Sequence, residues 1–143
     1  MRKYLLPLAA AAAVFGANQA IAATATANFN AHVKINAACT TSATALDFGT
    51  LPGLILGTET TTSTLTVTCT KNAAYTLALS AGTGFMSGAV TATDKVAYTA
   101  TLVGAGGTGS GSAQTFTING SLSAQSTPSA QDYNETRTVT VTY

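Results

Sequence analysis

Residues 23–36 read ATATANFNAHVKIN, and every second residue is apolar. The apolar positions are Ala23, Ala25, Ala27, Phe29, Ala31, Val33 and Ile35. Strict alternation of this kind is typical of a β-strand that buries one face. Extended, these fourteen residues would span about 45 Å, whereas an ordinary strand spans about 17–20 Å. The stretch is therefore longer than one small domain needs for a strand of its own.

The residues before this stretch are typical of an export signal. Arg2 and Lys3 give a positive start, and an apolar run follows from Tyr4 to Ala17. The sequence Ala20-Ile21-Ala22 has the small-x-small pattern of a signal-peptidase site. The apolar run is shorter than the roughly 20 residues of a membrane-spanning helix, which disfavours an anchor. We predict that residues 1–22 are a signal peptide and that the mature protein has no membrane span.

The composition of the mature chain bounds its function. Loss of Arg2 and Lys3 reduces the six basic residues to four, against five acidic ones, so the formal net charge becomes −1. This balance predicts no nucleic-acid partner. Charged residues make up only 8% of the chain, while Thr, Ser, Ala and Gly abound. Such a surface favours an extracellular polymer or coat.

Cys39 and Cys69 are the only cysteines of the chain. Export would place them in an oxidising compartment, so we predict a disulfide between them. It would close a loop of about 30 residues and contribute about 3–4 kcal/mol. A redox or metal pair is disfavoured, because the spacing is not CxxC and His32 is the sole histidine.

Alternation with period two continues beyond Cys39, and helix periodicity is absent outside the signal peptide. The candidate strands, separated by glycine-rich or polar clusters, are Leu65–Thr70, Tyr75–Ser80, Lys95–Val103, Gln114–Ile118 and Thr136–Tyr143. Short strands at this spacing predict an all-β sandwich or barrel. The last of them continues to the final residue with no turn after it.

No set of residues indicates catalysis, a cofactor or a metal site. His32 lies on the polar side of residues 23–36, where a solvated side chain is expected. Residues 104–109 match the letters of the dinucleotide-binding fingerprint, but no helical pattern follows them, so we predict a surface loop. We expect the protein not to be an enzyme, with no catalytic, cofactor-binding or metal-binding residues.

Together these features resemble the spore coat protein U family, the domain of archaic chaperone-usher pilins. The resemblance covers essentially the whole mature chain. It is carried by the alternating stretch ending at Cys39, Leu46–Gly49, Leu65–Thr70, Tyr75–Leu79, Met86, Val96–Tyr98, Phe116–Gly120, Gln125 and Tyr133–Tyr143. The chain departs from the family pattern at Gln131-Asp132, where a glycine is usual, at Glu135, where the family has Asp, and at Arg137, where an apolar residue is usual.

The resemblance implies an Ig-like β-sandwich that lacks its last strand and is completed by donor-strand exchange. Residues 23–36 would be the donor extension, and residues 37–143 the sandwich domain. The expected donor residues are Ala25, Ala27, Phe29, Ala31 and Val33. The expected acceptor groove residues are Val139, Val141 and Tyr143.

The same resemblance implies a pilus (fimbrial) subunit at the cell surface, active in adhesion and biofilm formation. Its expected partners are identical or related pilin subunits, a periplasmic chaperone and an outer-membrane usher. The alternative is a monomeric secreted β-sandwich that binds a carbohydrate or a surface ligand, or a coat protein. In a monomer, residues 23–36 could fold back into their own groove.

Overall fold

The computed structural model describes residues 23–53, 55, 57–126 and 128–143, so the predicted signal peptide lies outside the described residues. Within them the chain is all-β and contains no helix, hence none that could cross a membrane. The strands are β1 (Cys39–Ala43), β2 (Glu59–Cys69), β3 (Ala74–Leu79), β4 (Phe85–Gly88), β5 (Lys95–Ala97), β6 (Thr99–Val103), β7 (Gly106–Thr108), β8 (Ala113–Leu122), β9 (Tyr133–Asn134) and β10 (Val139–Thr142). The chain divides into two units after Lys34, and all of these strands belong to the second.

The strands form three antiparallel sheets. The first has the order β1-β2-β8-β6, the second β10-β3-β7, and the smaller third β5-β4-β9. The first and second sheets share one core, which we call the first cluster. Its buried members are Leu65, Val67, Cys69, Tyr75, Leu77 and Ile118. Two facing antiparallel sheets around such a core are an Ig-like β-sandwich, as the sequence predicted.

Strand β2 shows how the alternating pattern produces this fold. Leu65, Val67 and Cys69 are buried in the first cluster, while the threonines between them point to the outer face of the sheet. Threonine suits that face, because its branched Cβ favours extended backbone and its hydroxyl remains hydrated. The high threonine content of the chain is thus explained by the outer faces of its strands.

The predicted strand Lys95–Val103 is in fact two strands. β5 pairs with β4 in the third sheet, whereas β6 pairs with β8 in the first. Tyr98 lies between them, and its backbone N–H donates to the carbonyl of Gly84 at 3.0 Å. Val96 and Tyr98 are both buried, so the alternation runs unbroken through the point where the chain changes sheets.

A second cluster contains Ile55, Val96, Tyr98 and Leu122. Leu46 and Phe48 pack against it. A Cβ on Gly120 of β8 would come within 2.8 Å of Leu46 and 2.9 Å of Phe48, so this glycine makes room for both side chains. Asp47 accepts a hydrogen bond from the N–H of Gly49 at 2.7 Å and closes the turn that follows.

Candidate functional site at the open edge

One lateral edge of the sandwich is closed by the chain itself. β6, the last strand of the first sheet, leads through residues 104–105 into β7, the last strand of the second. Beside β7, the N–H of Leu77 donates to the carbonyl of Ala105 at 2.9 Å. A Cβ on Gly106 would lie 2.3 Å from the carbonyl oxygen of Tyr75, so only glycine allows this approach. We call β6 and β7 the closed edge.

The opposite edge consists of β1 and β10. Within the described residues, β1 pairs with β2 alone and β10 pairs with β3 alone. Each strand therefore carries a row of backbone N–H and C=O groups with no ladder partner on its outer side. We call β1 and β10 the open edge.

The inward face of β1 is uncovered. Thr41 pairs with Val67 and Ala43 with Leu65, so all four point toward the first cluster. Val67 and Leu65 are 0% and 1% exposed, yet Thr41 and Ala43 are both exposed. No described strand lies over these two inward-facing residues, so the inward face of β1 is exposed to solvent beside a buried core.

The predicted acceptor residues lie on and beside β10. Val139 and Val141 are half-buried and pack against the first cluster. Tyr143 follows the end of β10 on the same alternation and is 59% exposed. Sequence reasoning missed the other side of the opening, Thr41 and Ala43. The sequence signal that could have found them is their spacing: they follow Cys39 by two and four residues, which puts all three on the same face of a strand.

The predicted disulfide joins Cys39 of β1 to Cys69 of β2. Ala38 extends this pairing, because its carbonyl accepts the N–H of Thr70 at 2.9 Å. β1 is thus attached covalently to a buried strand, although its other side is unpaired. Such an attachment holds an edge strand in place without a second neighbour.

Arg137 lies two residues before Val139 on the same half-buried alternation. Its Nε and Nη2 atoms donate to the carbonyl of Ser80, and Nη1 donates to the carbonyl of Ala100 at 3.4 Å. The family's usual apolar residue is therefore replaced here by a cation whose donors are satisfied by backbone oxygens. The apolar part of the open edge ends at this residue.

Glu135 forms a network next to Arg137. Its carboxylate accepts the hydroxyl of Tyr98 at 2.5 Å, and the N–H and hydroxyl of Thr83 at 2.5 and 2.8 Å. The hydrogen bond from Tyr98, followed by that from the backbone of Thr83, lowers the pKa of Glu135 below its usual value. Burial, followed by the nearby Glu135 carboxylate, raises the pKa of Tyr98. The segment leading to β10 is thereby fixed to the rest of the domain.

The N-terminal stretch is described by itself. Residues 23–38 form no strand and are exposed throughout. The predicted donor residues Ala25, Ala27, Phe29, Ala31 and Val33 share this exposure, which reaches 91% for Phe29 and 78% for Val33. His32 is exposed as well. Among the described residues, no group of three or more His, Cys, Asp or Glu side chains could hold a metal ion.

A family model described as the Spore Coat Protein U domain matches residues 25–102. The match covers more than half of the 143 residues. It begins inside the exposed alternating stretch and ends within β6. No curated protein matches the chain.

Proposed function

The chain belongs to the Spore Coat Protein U domain family, and we propose that it is a structural pilin subunit that polymerises by donor-strand complementation. In this proposal, residues 23–36 of one copy lie between β1 and β10 of the next. The single observation that carries it is the open edge, where inward-facing Thr41 and Ala43 are exposed beside a fully buried core.

Strand addition suits both parts of the chain. The unpaired backbone of the open edge offers hydrogen bonds, and alternate side chains of an added strand would enter the core. Phe29 and Val33 would each contribute roughly 1.5–3 kcal/mol when fully buried, and every alanine about a methyl group's share. The donor side chains are exposed in the single chain, so this gain is still available when the stretch enters a groove.

The proposed partners are those that the resemblance to chaperone-usher pilins implies, and the open edge supports them. Two edge strands that each have one described partner, with the inward face of β1 exposed, promote aggregation, so a subunit in transit needs protection. We propose that a periplasmic chaperone supplies it, that an outer-membrane usher exchanges chaperone for donor, and that identical or related subunits form the final polymer. The protein would then be exported through the periplasm to the cell surface, in a structural role in adhesion and biofilm formation rather than a catalytic one.

A simple experiment tests polymerisation. The mature protein should run as a ladder in SDS without heating and as a single band after boiling, because added strands dissociate slowly. A chain that migrates as a monomer under both conditions, and accumulates as a soluble monomer in cells lacking chaperone and usher, would instead have filled its own groove.

A second candidate function is carbohydrate binding by a monomer or coat protein. It is favoured by a shallow depression of about 540 Å³ on the outer face of the first sheet. Its hydroxyl and amide side chains belong to Thr60, Thr62, Thr99, Thr101, Asn119 and Ser121. These groups both donate and accept hydrogen bonds, as sugar hydroxyls do. Glycan binding by a protein that forms no ladder, abolished by Asn119→Ala, would favour this function.

A further inference from the structure

The apolar lining of the open edge ends on both of its walls. On β2, the inward residues Val67 and Leu65 are followed by Ser63, a buried polar residue. The hydroxyl of Ser63 donates to the carbonyl of Thr44 at 2.7 Å, just after the end of β1. The β2 side of the open edge therefore changes from apolar to polar immediately beyond Leu65.

The same change occurs on the terminal strand. Val141 and Val139 are followed, in the same alternation, by Arg137. Arg137 contacts the carbonyl of Ala100, which lies level with Gly120 and Thr61 on the neighbouring strands. Thr61 comes four residues before Leu65 on β2, so this level is two inward-facing positions beyond Leu65. The guanidinium group thus lies beyond Leu65 and Ser63, the last two inward-facing residues of β2 that line the open edge.

Within the apolar part, Ala43 has the smallest side chain of the three inward-facing residues of β1. Cys39 is occupied by the disulfide, and the hydroxyl of Thr41 donates to the carbonyl of Thr66 at 3.3 Å. Ala43 has only a methyl group, is exposed, and pairs with Leu65. Val139 packs against the first cluster, which contains Leu65, and is only half-buried.

We propose that Phe29 of a second copy is seated over Ala43, between Leu65 and Val139, and that Arg137 and Ser63 limit how far the inserted strand extends. This inference rests on the proposed function and adds the register of the inserted strand relative to β1 and β10. Alanines at 25, 27 and 31 determine register poorly, because a slip of two residues keeps the same face buried. The ring of Phe29 is the only aromatic group among the alternating apolar residues 23–35, and it fits one space best.

Arg137 is compatible with this register in either strand direction. With Phe29 level with Val139, the residue level with Arg137 is Ala27 or Ala31. Either alanine leaves the hydrogen bonds of the guanidinium group undisturbed. A slip toward Arg137 would force the ring against those bonds, and the opposite slip would place it on the hydrogen-bonded Thr41.

A size exchange between Phe29 and Ala43 tests the seat. Ala43→Leu should reduce the SDS-resistant ladder about tenfold, because the added side chain occupies the space for the ring. Phe29→Ala in the same chain should restore at least about half of the ladder, since the donor no longer needs that space. Ala43 is exposed at an edge, so circular dichroism should show an unchanged sandwich.

Thr41→Leu, alone and with Phe29→Ala, is the matched control. We expect Phe29→Ala not to rescue it. Rescue of Thr41→Leu instead of Ala43→Leu would assign the ring to the next row and overturn the seat. An undiminished ladder from Ala43→Leu, or a lost ladder that Phe29→Ala does not restore, would overturn it as well. A wild-type protein that forms no ladder would reject the proposed function itself.

Discussion

The two lateral edges of this sandwich differ in how their outer strands are treated. At the closed edge the chain crosses from β6 to β7, and Gly106 and Gly109 let the backbones approach where a Cβ would lie 2.3 and 2.2 Å from a carbonyl oxygen. At the open edge, β1 and β10 each have one described partner, and exposed Thr41 and Ala43 face the core. The closed edge therefore packs through glycines that have no side chain. In our proposal, the open edge is instead packed by side chains of a second chain.

The largest effect is expected from replacing Phe29, the residue that we propose enters the open edge. Phe29→Asp should abolish the SDS-resistant ladder, because burying an uncompensated carboxylate costs several kcal/mol. Thr26→Asp adds the same charge on the opposite face of the stretch and should leave the ladder intact. Electron microscopy of cells making each variant checks the result. Pili from Phe29→Asp equal in number and length to wild type would show that residues 23–36 are not the donor.

The second prediction concerns the attachment of β1 at the open edge. Replacing both Cys39 and Cys69 by serine should lower the free energy of unfolding by about 3 kcal/mol, because the crosslink no longer restricts the unfolded chain. Urea titration of the purified protein, compared with the reduced wild type, measures the loss. Reduced wild type and double variant should have the same midpoint. An unchanged midpoint in the double variant would mean that β1 is held by its ladder alone.

The third prediction tests the closed edge. Gly106 has a φ of +126° and no room for a Cβ, so Gly106→Ala should destabilise the domain by about 1–3 kcal/mol. Gly107→Ala is the control, because its Cβ would meet only the Tyr75 ring and hydroxyl at 3.6 Å or more. Urea midpoints of the two variants give the comparison. Equal midpoints would show that the closed edge can relax.

The comparison of the edges also shows what the sequence can predict. Period-two alternation correctly predicted a strand within each of β2, β3, β8 and β10, because each buries one face and exposes the other, but it missed the first half of β2 and the second half of β8. It could not locate β7, which we expected to be a loop. The glycines of residues 106–108 have no side chains to alternate, and their pairing with β3 follows from tertiary packing.

Departures from the family pattern were visible in the sequence, but their reasons were not. Gln131-Asp132 stands where the family usually has a glycine before Tyr133. The amide oxygen of Gln131 accepts the N–H groups of Val90 and Thr91 at 2.8 and 2.9 Å. Gly88 makes this possible, since a Cβ there would lie 2.5 Å from the Gln131 side chain. The two positions are distant in the sequence, so only the fold relates them. The same holds for Glu135, whose partners Tyr98 and Thr83 come from other segments.

The smallest expected effect concerns Glu135, which connects the two edges: it precedes β10, and it accepts a hydrogen bond from Tyr98, the residue before β6. That bond lowers the pKa of the carboxyl group below its ordinary value of 4.5. A pKa lowered by folding stabilises the protein above the unfolded pKa, and this contribution is lost as the pH falls through the folded value.

Acidification below about pH 4.5 should therefore reduce the urea midpoint, and Glu135→Gln should remove part of this decrease, worth under about 1 kcal/mol for so solvated a group. Tyr98→Phe, which removes the donor but keeps the ring, should weaken the acid dependence in the same direction. If wild type and Glu135→Gln lose stability equally between pH 6 and pH 3, the hydrogen bond to Tyr98 does not couple the edges.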